Sequence, residues 1–152
     1  MNELTKDLKL KIKLVSDKAV VPSYATSGSC GLDLTAVSEE IKVSKAGVTV
    51  EYDTGIAVEI PEGYAGLVMA RSSVTTKTTL SLGNGVGLID SDYRGTIKFQ
   101  YRNLVPTNGQ KYKVGERIGQ LLIVPVAQLP IEVVTELSST NRGSGGFGST
   151  GV

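Results

Sequence analysis

Apolar residues recur at every second position along several stretches of this chain, and that rhythm limits the fold more than any other feature. Leu8, Leu10, Ile12 and Leu14 alternate with Lys9, Lys11 and Lys13. Ile56, Val58 and Ile60 alternate with Ala57 and Glu59, and Ile97, Phe99 and Tyr101 with Lys98, Gln100 and Arg102. A period of two puts one face of a strand on a core and the other in water. Further short apolar runs lie at 32–37, 48–52, 66–70, 86–90, 118–124 and 131–137. Turn residues punctuate them: Pro61-Glu62-Gly63, Asn84-Gly85, Thr107-Asn108-Gly109 and Val114-Gly115. Many short strands at this spacing predict an all-β fold, a jelly roll. A single segment, 72–78, reads as a short helix with Ser72 or Ser73 as N-cap, and its threonines weaken that reading.

The chain has 152 residues, a length for one domain. Sixteen Lys and Arg face fifteen Asp and Glu, a net charge of +1. That balance builds no field for gathering a polyanion. Nucleic acid is therefore not an expected partner, and any phosphate recognition falls to a few placed residues. There is no His. That excludes Ser-His-Asp and Cys-His nucleophiles, His metal sites and a His base, and leaves a carboxylate as the natural base of an enzyme. A lone Cys30 excludes an internal disulfide and a Cys-rich zinc cluster. No stretch approaches the ~20 apolar residues of a membrane span. Residues 1–14 have no signal-peptide core, so the expectation is a soluble, cytoplasmic or otherwise intracellular protein. Composition shifts near Ser138: residues 138–152 hold five Gly and four Ser, with Phe147 the one large apolar side chain. Such a segment cannot bury enough surface to order itself. The expected organisation is a β jelly-roll catalytic domain over 1–137 and a flexible tail over 138–152.

Five stretches hold polar residues in settings that suit chemistry. In Gly87-Leu88-Ile89-Asp90-Ser91-Asp92-Tyr93-Arg94-Gly95, parity puts Asp90 in one direction with Val86 and Leu88, a placement that suits a proton acceptor. The same residues also suit an ordinary turn rich in Asp and Ser. Glycines before Asp90 allow close approach by a ligand. Arg71-Ser72-Ser73 offers a guanidinium and two hydroxyls at a helix start, an anion site or a plain N-cap. Gly31-Leu32-Asp33-Leu34 and Gly115-Glu116-Arg117-Ile118-Gly119-Gln120-Leu121 place polar residues inside apolar runs, where Asp33 and Arg117 suit a structural bridge. The glycine-rich Arg142–Gly151 segment matches neither a dinucleotide fingerprint, since no helix follows, nor a Walker loop, since no Lys follows. It reads as a lid that orders on a ligand.

Taken together, in order and at this spacing, these stretches resemble the five motifs of the trimeric dUTPase family over nearly the whole chain. The resemblance implies a jelly-roll homotrimer with active sites at subunit interfaces, each closed by another subunit's tail. It implies hydrolysis of dUTP to dUMP and pyrophosphate with Mg2+ held through the triphosphate and water, with no direct protein ligand. That activity limits uracil in DNA and supplies dUMP for dTMP synthesis. By the resemblance, Asp90 activates the attacking water at the α-phosphate. Arg71, Ser72, Ser73 and Gln120 contact phosphates. Asn84 and the hairpin through Gly87, Leu88 and Ile89 read uracil, Lys98 lines the nucleotide pocket, and Tyr93 packs on the deoxyribose. Arg142, Phe147, Gly148, Ser149 and Thr150 belong to the closing tail, with Phe147 over the base. Asp33 and Arg117 support the site from behind.

The chain departs from the family at a few positions. Gly119 stands where Ala is common, Ser73 where many members have Gly, and Ala70 where Pro is common, while Val74-Thr75-Thr76 replaces a more helical stretch. A dCTP deaminase shares the fold but relies on a Glu on the strand after the hairpin. Here that position holds Gln100, and an amide cannot relay the protons of deamination. A nucleotide-gated regulator without catalysis is the other alternative, and intact Asp90 and Tyr93 argue against lost catalysis.

Overall fold

The computed structural model describes residues 8–45, 47–105 and 109–146. Among them the chain forms ten strands and one short helix: β1 Lys11–Leu14, β2 Ser23–Tyr24, β3 Leu32–Thr35, β4 Ser38–Ser44, β5 Gly47–Glu59, β6 Tyr64–Ala70, α1 Val74–Lys77, β7 Leu80–Leu82, β8 Gly87–Ile89, β9 Thr96–Asn103 and β10 Arg117–Pro125. They make two antiparallel five-stranded sheets, the all-β jelly roll expected. In the first, β5 is the spine: β4 and β1 share one of its edges, β9 takes the other, and β7 follows β9. The second runs β2-β3-β10-β6-β8.

The period-two pattern sets the core. Ile97, Phe99 and Tyr101 of β9 point inward while Lys98, Gln100 and Arg102 point outward. Ile56 and Tyr52 from β5 meet Leu34 of β3 and Ile118 and Leu121 of β10 in one apolar cluster. Three tyrosines join it edge to face. Tyr101 and Tyr112 have ring centroids 5.8 Å apart, and Tyr52 and Tyr112 6.3 Å. Two of their hydroxyls reach backbone: Tyr52 donates to the Tyr112 carbonyl at 2.9 Å and Tyr101 to the Ile118 carbonyl at 2.6 Å. Burial holds both phenols above their ordinary pKa, so they stay neutral donors.

Several expectations are revised. The runs 48–52 and 56–60 are one long strand, β5, bulged near Gly55, where the register against β9 shifts. The run 131–137 forms no strand in the single chain: Ile131 and Val133 are each 94% exposed, because no sheet edge of the same chain receives them. The helix is shorter than 72–78, four residues long, and Ser73 sits at its N-cap without capping it. Three β-branched residues in a row suit no longer helix.

Gly119 has a packing reason. A Cβ there would run into the ring of Phe99, so the common Ala of the motif is closed to this chain.

Candidate functional site

Asp33 is the anchor of one polar cluster. It lies on β3, directly opposite Gln120 on β10, and is 9% exposed. A carboxylate so placed must be paired. Its Oδ2 accepts from Arg117 Nη1 at 2.8 Å, and its Oδ1 accepts from Arg71 Nε at 3.1 Å and Gln120 Nε2 at 3.2 Å. Arg71 arrives from the end of β6, which pairs with β10 at Ala70 and Gly119. Three separate stretches of sequence thus converge on one carboxylate. Two guanidinium groups share a single negative charge, which leaves an excess of positive charge able to hold an anion. Ser72 is exposed beside Arg71, while the Ser73 hydroxyl turns inward. With four residues, α1 adds little dipole to this place, so the expected helix-start contribution reduces to side chains and turn amides.

A second cluster surrounds the β8 hairpin. Asp90, Tyr93 and Lys98 line one cavity of about 250 Å³ with Leu88 and Ile89. A larger neighbouring cavity of about 680 Å³ shares Leu88, Ile89 and Lys98 and adds Asn84 and Gly87. The turn after β8 is held by its own atoms. The Tyr93 amide donates to the Asp90 carbonyl at 3.2 Å, the Tyr93 hydroxyl to the Thr96 carbonyl at 3.2 Å, and Arg94 Nη1 to the Ser91 carbonyl at 2.7 Å. One expectation changes here. Val86 and Leu88 are 49% and 63% exposed, so the face they share with Asp90 is open in the single chain rather than apolar and closed. At Gly87 a Cβ would run into a methyl of Val68 of β6, so packing within the chain also calls for glycine there.

Sequence reasoning missed the residues that fix Lys98. Glu51 of β5 faces Gln100 across the ladder, and Asp53 faces Lys98. Glu51 accepts from Lys98 Nζ at 3.0 Å and from Gln100 Nε2 at 2.9 Å, while Asp53 lies 3.7 Å from Lys98 Nζ and accepts from Thr96 Oγ1 at 2.8 Å. The Gln100 hydrogen bond, then the Lys98 contact, hold the Glu51 carboxyl below the usual carboxylate range, and Glu51 in turn raises the Lys98 ammonium. Only the wet-face parity of Glu51 within 48–52 pointed this way, and the pairing partner was invisible.

The two clusters stand apart. In the β6–β8 ladder Gly66 faces Ile89, so Asp90 lies near Ala65 at the start of β6. Arg71 follows the end of that strand. Six residues of strand separate the two levels, about 20 Å at ~3.3 Å per residue. Within one chain the carboxylate of Asp90 cannot meet the guanidinium of Arg71 over a common small-molecule bond. Arg142 sits in a turn, its Nε donating to the Gly145 carbonyl at 2.9 Å. Phe147, Gly148, Ser149 and Thr150 lie outside the described residues. No helix among the described residues is long and apolar enough to cross a membrane.

Fold and geometry define an all-β protein with a guanidinium-rich cluster around Asp33 and a carboxylate-bearing cavity at Asp90 toward opposite ends of one strand. Comparison with known proteins places that arrangement. The family model for dUTPase matches residues 17–151. Deoxyuridine 5'-triphosphate nucleotidohydrolases from Hydrogenobaculum sp. and Glaesserella parasuis are 43% and 42% identical, covering 95% of this chain and 99% and 96% of theirs. Among solved structures, a mutant Staphylococcus bacteriophage 80alpha dUTPase with dUpNHpp superposes with a TM-score of 0.79 at 29% identity, covering 95% of this chain and 99% of that one. A mutant dUTPase from phage phi11 of S. aureus, described by its coordination of a structural Mg(II) ion, gives 0.72 at 25% identity over 86% of this chain and 99% of its own. The chain belongs to the dUTPase family.

Proposed function

We propose that this chain hydrolyses dUTP to dUMP and pyrophosphate in a homotrimer whose subunits share their sites. The observation that carries this is the ~20 Å spacing along β6. One copy supplies the Asp90 half and another supplies the Arg71 half. A further observation supports assembly. Beyond β10 the chain runs on with Leu129, Ile131, Val133 and Leu137 between 79% and 94% exposed, an apolar arm that needs a second copy to cover it. Residues 1–137 then form the body with its arm, and 138–152 the tail that closes a neighbour's site.

In this reading Arg71, Ser72, Ser73 and Gln120 take phosphate oxygens, with Asp33 aiming Arg71 and Arg117. Hydrolysis of a phosphoanhydride asks for positioning and neutralised charge more than for covalent chemistry. Asp90, an exposed acceptor-only carboxylate, orients a water and takes its proton at the α-phosphate. Asn84 and the backbone of 86–89 read the uracil edge, Lys98 lines the pocket, and Tyr93 leaves no room for a 2'-hydroxyl. A site that pairs buried polar groups with one base rejects another by about 10⁴ or more. Arg142, Phe147, Gly148, Ser149 and Thr150 cover the bound nucleotide. No group of three or more His, Cys, Asp or Glu stands together among the described residues. In this reading a Mg2+ would be held mainly through the triphosphate and water, beside the cavity that Asp90 lines. When bound, the ion neutralises phosphate charge.

The test supplies Mg2+ with dUTP, dCTP, dTTP or UTP in turn and follows pyrophosphate and ammonia. Pyrophosphate from dUTP alone is expected. Ammonia from dCTP would mean a deaminase despite Gln100, and tight dUTP binding without turnover would mean a regulator.

A further inference from the structure

The outward face of the β5–β9 ladder carries a carboxylate that the proposed chemistry leaves idle. The Glu51 side chain is 12% exposed, although it lies on the face turned away from the core. A carboxylate withdrawn that far from water needs partners, and both of its oxygens have one. Oε1 accepts from Lys98 Nζ at 3.0 Å and Oε2 from Gln100 Nε2 at 2.9 Å. A plain cross-strand ion pair was at hand without this arrangement. Lys98 stands directly opposite Asp53, yet its ammonium is 3.7 Å from that carboxylate and closer to Glu51. Two side chains of β9 thus converge on one carboxylate. A carboxylate only accepts, so the Gln100 amide must turn its nitrogen toward Glu51. Its second N–H and a remaining ammonium proton of Lys98 stay available, and both side chains are exposed. Their place is specific. Lys98 borders the cavity of about 250 Å³ with Asp90 and Tyr93, and also the cavity of about 680 Å³ that Glu51, Gln100 and Asn84 line. With the reacting phosphate at Asp90 and the sugar at Tyr93, the base passes Lys98 and enters the larger cavity.

We propose that Glu51 is a positioning residue for base selection: by accepting one N–H from Lys98 and one from Gln100, it fixes a wall of donors that meets a carbonyl edge of the base. Uracil has a carbonyl oxygen at C4 and cytosine an amino group. Against this wall the uracil oxygen accepts. The cytosine amino group sets N–H against N–H and leaves both sides unpaired, which rejects it. Glu51 touches no ligand and acts through Gln100 and Lys98. Without its negative charge the Gln100 amide is free to turn its oxygen outward, where it accepts from an amino group. The Lys98 ammonium, on a flexible stem, then also loses its anchor. The inference rests on the reading of this cavity as the nucleotide site, and it adds a side-chain device to the contacts of Asn84 and the hairpin backbone.

The experiment compares the full chain with Glu51→Gln, Gln100→Met and the double variant, each checked for folding by urea unfolding. Steady-state kinetics with dUTP and Mg2+ give KM, and dCTP and dTTP added as competitors give inhibition constants. Glu51→Gln keeps the side chain's shape and removes its charge. The preference for dUTP over dCTP, taken as the ratio of the dCTP inhibition constant to the dUTP KM, is expected to fall about ten- to a hundredfold. On dUTP, kcat changes by no more than about twofold. The preference over dTTP, whose base keeps both carbonyls, stays within about twofold. Gln100→Met narrows the dCTP preference as well, and the double variant narrows it by less than the product of the two effects. An unchanged dCTP preference in Glu51→Gln would overturn the proposal, since Glu51 would then only brace the sheet. So would an equal loss of preference against dCTP and dTTP, or a double variant that matches the product. Should Glu51→Gln fail to fold, an unchanged preference in Gln100→Met overturns it alone. Absence of dUTP turnover by the unaltered chain would instead count against the function on which it rests.

Discussion

At the scale of single residues, charge and hydrogen-bonding capacity decide what each group does. Asp90 can be replaced by Asn with its shape kept and its basicity removed. Turnover of dUTP is expected to fall by about 10²–10⁴, the usual contribution of a general base, with dUTP still bound, as measured by steady-state kinetics and calorimetric titration. Asp33 tests the opposite role. It accepts from two arginines and Gln120 in a largely closed place. Asp33→Ala strips those donors of their acceptor and is expected to destabilise the chain by about 1–3 kcal/mol in urea unfolding, and to raise KM through a loosened Arg71. Legibility divides along the same line. The Asp33–Arg117 bridge could be anticipated because both side chains sat inside apolar runs. The Arg71 contact could not, since it depends on β10 lying between β3 and β6, a pairing with no local signal.

At the scale of elements, alternation was legible where both faces had distinct fates. Ile97, Phe99 and Tyr101 announced β9 because their outward neighbours are Lys98, Gln100 and Arg102. β4 was not legible: its burial pattern is almost wholly exposed, so hydrogen bonding to β5 and not a core makes it a strand. The β5–β9 ladder carries a pH dependence. The Glu51 carboxyl titrates below its ordinary 4.5 in the folded chain. A depressed carboxyl stabilises the fold fully above that ordinary value and loses the contribution as pH falls through the folded value. Glu51→Gln is therefore expected to lose about 0.5–1 kcal/mol at pH 7, with the difference fading in acid, measured by urea unfolding from pH 7 down to 3. The β9–β10 contact gives a packing test. Gly119→Ala drives a methyl against Phe99 and is expected to destabilise by about 1–3 kcal/mol, read from the denaturation midpoint.

At the scale of the whole molecule, the run 131–137 shows where a single sequence stops being legible. Its residues have strand character, and a strand needs an edge that this chain does not offer itself. A homotrimer predicts elution at three times the 16.0 kDa chain mass. Shared sites predict more. Asp90→Asn and Arg71→Ala copies, each inactive alone, are expected on co-refolding in equal amounts to regain about a quarter of the original rate, because each site draws its two halves independently. Mixing without refolding restores nothing if subunits do not exchange, which gives the control.

Strand β6 acts as a spacer that keeps the Asp90 carboxylate and the Arg71 guanidinium of one copy out of each other's reach. If sites are shared as proposed, output per polypeptide is expected to scale with crowding among siblings and not only with fuel. Dilution below the concentration at which copies find one another is then expected to silence the chain more steeply than in proportion, read from specific activity over a dilution series.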